Sequence, residues 1–129
     1  MAYLKKILLI DDEQDFCFFM RNNLEITEEF QVITTTDGKE GVYLARREKP
    51  DLILLDIMMP DMDGGEVARL LFDDPKTKQI PLIFLTGIIT EQEMGTGPIR
   101  ETRAQSFIAK TAETEKIISL INKALEKGF

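Results

Sequence analysis

Short apolar runs separated by segments with a helical period are the feature of this chain that most constrains its fold. Each run is nearly continuous rather than alternating with polar residues, which is typical of strands buried on both faces of a parallel sheet. The second run is more polar than the others, and this favours an edge position. The five runs are KILLI (6–10), QVITT (31–35), DLILLDI (51–57), PLIFLT (81–86) and SFIAK (106–110).

The segments between the runs repeat their apolar residues every three or four positions, as amphipathic helices do. The last segment has the cleanest stripe, with Thr114 and Gly128 as start and stop signals. Because strands alternate with helices, the sequence predicts a doubly wound α/β fold with a five-stranded parallel sheet, in one domain over residues 1–129. The stripes comprise Phe16, Phe19, Met20 and Leu24; the stretch 41–48; Val67, Leu70 and Leu71; and Ile117, Leu120, Ile121, Ala124 and Leu125.

One segment fits this pattern poorly. The helix expected between the fourth and fifth strands falls in EQEMGTGPIRETRAQ (91–105), which contains Gly95, Gly97 and Pro98. In a helix interior Gly costs about 1 kcal/mol and Pro about 3 kcal/mol. We therefore expect a helix here that is short, split or mobile.

Composition excludes several classes of site. The chain has no histidine, so it can carry neither a Ser-His-Asp site nor a histidine-bound zinc ion. Its formal net charge of −7 argues against direct binding of nucleic acid. No apolar segment reaches the ~18 residues of a membrane helix. The single cysteine, Cys17, excludes an internal disulfide and suits a reducing compartment. We expect a cytoplasmic protein without membrane contact.

Polar side chains lie where four of the five predicted strands end. In a doubly wound sheet, ligands bind at the carboxyl ends of the strands. Three carboxylates at this edge repel one another, and Mg²⁺, which prefers oxygen ligands, would offset that repulsion. A lysine and a hydroxyl beside such an ion suit a phosphoryl group, and a carboxylate nucleophile could accept one. The residues at this edge are Asp11, Asp12, Asp56, Thr86, Gly87 and Lys110.

Each of these residues taken alone has a simpler interpretation. Asp11, Asp12 and Asp56 could be turn or strand-end residues, and Lys110 an ordinary solvated lysine. Their convergence on one edge of the sheet favours the site.

The aromatic residues and Cys17 also have simple interpretations. We expect Cys17 to be buried by packing. Phe16, Phe18 and Phe19 are expected to supply core contacts and one exposed ring, with Phe18 as a candidate for a partner surface. Phe107 could be plain core.

Four segments together resemble the receiver domain of bacterial response regulators. They are LLIDDE, DLILLDIMMPDMDGGEV, PLIFLTG and SFIAK, and they occur in the order and spacing of that family. The chain looks most like single-domain members such as the chemotaxis regulator. The resemblance implies a flavodoxin-like (βα)5 fold with strand order 2-1-3-4-5. It also implies a phosphorylation-dependent switch in a two-component phosphorelay, supplied by a histidine kinase or phosphotransfer protein.

The resemblance also assigns roles to the acidic residues. Asp56 resembles the phosphoacceptor. Asp11 and Asp12 resemble the acidic pair that holds Mg²⁺, together with Asp56 and the backbone carbonyl of Met58. On this basis the chain is a phosphoacceptor that assists its own phosphorylation and dephosphorylation, and is not otherwise an enzyme.

The remaining motif residues resemble the switch. Thr86 and Lys110 match the residues that contact the phosphoryl group, and Thr86 and Phe107 match the hydroxyl and aromatic that move on activation. Pro60 and Gly64 match the loop after the acceptor. The downstream target is not identified by the resemblance, and dimerisation on phosphorylation stays open.

Two departures from the family pattern bear on function. The lysine is usually followed by proline through a cis peptide, whereas Thr111 follows Lys110 here, so this bond is either a costly non-proline cis bond or trans. The second departure is segment 91–105, which lies on the family's usual output face.

Two other functions compete with the switch. One is a binding module of the same fold that signals without phosphorylation. The other is a magnesium-dependent phosphatase with an aspartyl nucleophile. Such enzymes commonly place an acid two residues after the nucleophile, where this chain has Met58, so a general acid is missing.

Overall fold

One five-stranded parallel sheet organises the chain, in the strand order β2-β1-β3-β4-β5. A computed structural model describes residues 3–59, 63–87 and 106–127. The strands are β1 (Lys5–Ile10), β2 (Phe30–Thr35), β3 (Leu52–Asp56), β4 (Leu82–Thr86) and β5 (Ser106–Ala109). Within these described residues the helices are α1 (Gln14–Glu25), α2 (Gly38–Glu48), α3 (Gly64–Asp73) and α4 (Thr114–Lys127). The predicted fold class and strand order are confirmed, and the more polar β2 is an edge strand as expected.

The sheet is covered on both faces, which explains why its strands read as continuous apolar runs. Ile7 and Leu9 of β1 pack in one cluster with residues of α1 and α4, whereas Leu8 and Ile10 pack in a second cluster with residues of α2 and α3. The same alternation continues in β3 and β4, because successive side chains of a strand point to opposite faces. Every residue of β3 and β4 is buried.

Two helices begin with a side-chain cap. The carboxylate of Asp37 accepts a hydrogen bond from the Glu40 N–H at the start of α2, and that of Asp63 accepts one from the Glu66 N–H at the start of α3. The predicted start of the last helix at Thr114 is confirmed. Its predicted stop at Gly128, together with segment 91–105 and Pro60, lies outside the described residues.

The prediction for α1 was partly wrong. Cys17, Met20 and Leu24 form its buried stripe, and Phe16 packs against the same cluster. Phe19 was expected in the core, but its side chain is 57% exposed, and Phe18 is 69% exposed. Two rings rather than one therefore face outward, because the buried stripe passes through the smaller Cys17.

No helix within the described part of the chain is long and apolar enough to cross a membrane.

The start of α3 packs directly on the end of β3, and a glycine permits this. A Cβ built on Gly64 would lie 2.5 Å from the Asp56 carbonyl oxygen and 2.7 Å from the Ile57 Cα. The Gly64 N–H also donates to the Ile57 carbonyl at 2.8 Å. This close approach holds the backbone of Asp56 in place.

We expect Gly64→Ala to lower the free energy of unfolding by about 1–3 kcal/mol, because backbone atoms must shift to admit the methyl group. Gly65→Ala is the matched control in the same helical turn, since its Cβ would meet only the Asp63 side chain, at 3.2 Å. Urea unfolding followed by circular dichroism measures both. Equal stability of the two variants would show that α3 does not need this approach.

Candidate functional site

The carboxyl ends of β1 and β3 bring two aspartates to the same face of the sheet. Asp56 ends β3, and Asp11 directly follows β1. Continuing the strand alternation, Asp11 follows Ile7 and Leu9, and Asp56 follows Leu52 and Leu54, all of which pack against α1 and α4. Both aspartates therefore lie on the α1 side of the sheet, and both are buried.

Three carboxylates meet at this point. Oxygen atoms of Asp11, Asp12 and Asp56 all lie within 4.8 Å of one another. Asp11 Oδ1 accepts a hydrogen bond from the Glu13 N–H at 2.9 Å, and Asp56 Oδ1 accepts one from the Met58 N–H at 3.2 Å. Asp11 Oδ2 is buried and accepts no hydrogen bond from the described residues, although it lies close to an ammonium group.

That ammonium group belongs to Lys110, at the end of β5. Its Nζ lies 2.9 Å from Asp11 Oδ2 and 3.9 Å from Asp56 Oδ2, and its side chain is only 10% exposed. The Lys110 N–H donates to the Thr86 carbonyl at 2.9 Å, which ties the ends of β4 and β5 together. Among the described residues no peptide bond is cis, so the bond from Lys110 to Thr111 is trans. The lysine reaches both aspartates in this conformation.

The crowding of like charges changes the acidity of the site. Burial raises the pKa of Asp56 to about 7, and a hydrogen bond with Asp12 and the charge of Asp11 act in the same direction. Burial also raises the pKa of Asp11, although Lys110 opposes this. Burial alone would lower the pKa of Lys110, but its contacts with Glu13 and Asp11 outweigh that effect and raise it. The free site thus holds a carboxylate that readily takes a proton or a cation.

The predicted switch residues lie toward the other face of the sheet. Thr86 is buried at the end of β4. Phe107 is half-buried, and its ring stacks on that of Phe84 with 5.4 Å between centroids. Phe84 and Phe107 both belong to the cluster on the α2 and α3 side. Thr86 follows Phe84 by two residues on its strand, so Thr86 and Phe107 share a face that Asp56 does not.

Met58 has its side chain 75% exposed. The Met58 N–H donates to Asp56 Oδ1, which places the Met58 main chain beside the Asp56 carboxylate.

Three residues of α1 and the turn before it contact the site and were not predicted to do so. Glu13 pairs with Lys110, and the Phe16 ring centroid lies 4.5 Å from Lys110 Nζ. The Cys17 thiol donates to the Asp11 carbonyl at 3.2 Å, and burial raises the pKa of this thiol to about 11, so it stays protonated. The spacing of Glu13, Phe16 and Cys17 at i, i+3 and i+4 was the available signal, since such residues share one helix face.

The donor set of the site fits a hard divalent cation. All three clustered side chains offer carboxylate oxygens, and the carboxylates repel one another in the absence of a counter-charge. One of those oxygens, Asp11 Oδ2, is buried and accepts no hydrogen bond from the residues that the structure describes. Among the described residues, this is the one cluster of three or more potential metal-ligating side chains.

Comparison with known proteins is consistent with this geometry. A family model described as the response regulator receiver domain matches residues 7–122. Protein PilH of Pseudomonas aeruginosa is 33% identical over 124 residues, covering 95% of this chain and 98% of PilH. Response regulator PleD of Caulobacter vibrioides is 37% identical over 105 residues, covering 81% of this chain but only 22% of PleD. The chain thus spans nearly all of one relative and less than a quarter of the other.

A solved structure shows the same fold with a metal in it. The receiver domain of a sensor histidine kinase from Pseudomonas aeruginosa PAO1 superposes with a TM-score of 0.85 at 20% identity, covering 96% of this chain and 99% of that one. That protein has a magnesium ion coordinated in its active site cleft.

The raised pKa of Asp56 predicts a pH dependence of stability. Between the ordinary value of 3.8 and about 7, the folded protein binds a proton that the unfolded chain releases. The free energy of unfolding therefore falls as pH rises through this range, and the full penalty is present above about pH 7.

We expect Asp56→Asn to be more stable than wild type in the presence of a metal chelator, by up to about 4 kcal/mol near pH 8 and by about 1 kcal/mol near pH 4.5, because the pKa of Asp56 is raised from 3.8 to about 7. Urea unfolding at both pH values measures this. Asp73→Asn is the control, because Asp73 has a 71% exposed side chain far along α3. If the stability gain of Asp56→Asn did not grow with pH, the charge of Asp56 would not be its cause.

Proposed function

Because the chain belongs to the response regulator receiver domain family, we propose that it is a two-component switch whose phosphoacceptor is Asp56. The observation that carries this proposal is the position of the Lys110 ammonium group between two buried aspartates, 2.9 Å from Asp11 and 3.9 Å from Asp56. A cation held there, beside a carboxylate, suits an incoming phosphoryl group. The donor is a phosphohistidine of a histidine kinase or phosphotransfer protein, and the location is cytoplasmic.

The proposed transfer begins at the Asp56 carboxylate. One of its oxygens attacks the phosphorus of the phosphohistidine, and an O–P bond forms as the P–N bond breaks. The electron pair of that bond stays on the imidazole nitrogen of the donor. Met58 N–H orients Asp56 through Oδ1, which leaves Oδ2 on the side of Lys110. Lys110 then pairs with a phosphoryl oxygen as a compact positive charge.

Asp11, Asp12, Asp56 and the Met58 carbonyl would hold Mg²⁺. When bound, the ion neutralises charge on the phosphoryl group and the carboxylates. Asp11 is held for this role by the Glu13 N–H and the Lys110 ammonium, which both donate to its Oδ1.

We propose that Thr86 and Phe107 convert phosphorylation into a change of shape. The Thr86 hydroxyl would donate to the phosphoryl group, and Phe107 would turn into the space that Thr86 leaves. Phe107 is half-buried and stacked on Phe84, so its ring already lies at the edge of the core. Driving such a switch from 1:99 to 99:1 needs about 5.5 kcal/mol of differential interaction.

The chain acts as a phosphoacceptor rather than as a turnover enzyme in this proposal. Met58 occupies the position where an aspartyl phosphatase would need an acid, and its thioether side chain cannot donate a proton. The downstream partner is a protein, and phosphorylation-dependent dimerisation is one form the output could take.

We expect Mg²⁺ to stabilise the protein by about 1.4 kcal/mol when the free ion is at ten times its dissociation constant. Thermal unfolding across a MgCl₂ titration measures the effect. Asp11→Asn should lose most of the stabilisation, because it removes a buried ligand, and Asp73→Asn should keep it. The same response in both variants would mean that Mg²⁺ acts elsewhere.

We expect the wild-type protein to gain one phosphoryl group when incubated with acetyl phosphate and Mg²⁺, as measured by intact mass. Asp56→Asn should gain none, and chelation of the metal should abolish the gain. Asp73→Asn should behave as wild type. No gain by the wild type, beside a competent receiver domain run in parallel, would favour the alternative of a binding module that signals without phosphorylation.

A further inference from the structure

The first turn of α1 makes two contacts with Lys110. The Glu13 carboxylate pairs with the Lys110 ammonium group, and the Phe16 ring centroid lies 4.5 Å from the same nitrogen. Residues three apart on a helix lie on one face, so the carboxylate and the ring approach the lysine together. An aromatic face at this distance attracts a cation. We call Glu13 and Phe16 the lysine seat.

Glu13 is placed for this contact rather than for helix capping. It is the N-cap residue of α1, yet its side chain makes no capping hydrogen bond. Its N–H donates to Asp11 Oδ1, and its own carboxylate turns to Lys110. Glu13 thus contacts both members of the Asp11–Lys110 pair.

The two carboxylates that hold Lys110 differ in exposure. Asp11 is fully buried, whereas the Glu13 side chain is 63% exposed. An ammonium group has three N–H donors, and these two carboxylates occupy part of that capacity. A phosphoryl group on Asp56 would bring a new anion to the lysine, whose nitrogen lies 3.9 Å from Asp56 Oδ2. The exposed Glu13 is the partner that can return to water at least cost when that anion arrives.

Resting on the phosphorylation proposed above, we propose that Glu13 and Phe16 are positioning residues for Lys110. They hold its ammonium group in the unphosphorylated protein, and Glu13 competes with the phosphoryl group for it. Phosphorylation of Asp56 then draws Lys110 out of the lysine seat and frees the first turn of α1. Glu13 therefore slows phosphoryl uptake while keeping the lysine in place.

The seat itself is tested without any phosphodonor, by NMR. The ring current of Phe16 should move the Lys110 ε-methylene proton signals upfield of those of the other lysines. Phe16→Leu, which keeps an apolar side chain, should remove this shift. Glu13→Gln should reduce it, because the neutral amide holds the ammonium group less firmly. Asp15→Asn is the matched control, since it removes one exposed charge from the same turn of α1.

The competition is tested by the rate of phosphorylation from acetyl phosphate with Mg²⁺, followed by intact mass. Glu13→Gln should react about threefold faster than wild type, in the range expected for loss of a partly exposed ion pair. Asp15→Asn should react at the wild-type rate. In the wild type, the Lys110 ε-methylene signals should lose their upfield shift on phosphorylation.

The outcomes separate the two proposals. A wild type that gains no phosphoryl group contradicts the proposed function, while the unphosphorylated spectra still decide whether the lysine seat exists. Lys110 signals that are the same in wild type, Glu13→Gln and Phe16→Leu would overturn the seat. If the shift responds as expected but Glu13→Gln reacts at the wild-type rate or more slowly, the competition is overturned. Should Phe16→Leu fail to fold, Glu13→Gln decides both arms.

Discussion

The repulsion among carboxylates at the end of β1 and β3 is the constraint on which the rest of this structure depends. Asp11 and Asp56 are buried and close together, so each disfavours the charge of the other. Lys110 offsets part of this from the end of β5, at 2.9 Å from Asp11. The strand order brings this about, because β1 and β3 are adjacent and β5 lies two strands from β3.

Burying Asp11 and Asp56 side by side lowers the stability of the fold. Hydrophobic residues at positions 11 and 56 would carry no charge to repel one another. They would also suit their surroundings, because both strands are otherwise buried in apolar clusters. The raised pKa of Asp56 reflects the loss of folding stability that its charged form causes at this position. Nearby contacts offset part of this loss of stability. Gly64 lets α3 pack on the Asp56 main chain, and the Cys17 thiol donates a hydrogen bond to the Asp11 carbonyl. Strongly perturbed pKa values of this kind cluster at functional sites.

The sequence predicted the fold well because its strongest signals are local. Continuous apolar runs locate each strand to within one residue at either end. The strand-end aspartates and lysine lie together as predicted. The resemblance supplied the strand order. What could not be predicted depends on side-chain size and reach. Phe19 has a helical spacing suited to burial, but the smaller Cys17 takes the buried position and leaves the ring outside. The Glu13–Lys110 contact joins residues 97 positions apart. Helical spacing places Glu13 and Phe16 on one face, but it does not identify Lys110 as their partner.

In the proposed switch, the two faces of β5 connect the site to two different parts of the protein. Lys110 lies on the α1 side, where Glu13 and Phe16 hold it. Phe107 packs on the opposite side against Phe84, in register with it. The Lys110 N–H is bonded to the Thr86 carbonyl, so the ends of β4 and β5 cannot shift independently. A phosphoryl group that engages both Lys110 and Thr86 would therefore act on α1 through one and on Phe107 through the other. The inward-facing contacts of α1 are occupied by the site and the core, and its outward face carries Phe18 and Phe19. A change at Lys110 would thus reach a helix whose outer surface is already aromatic and exposed.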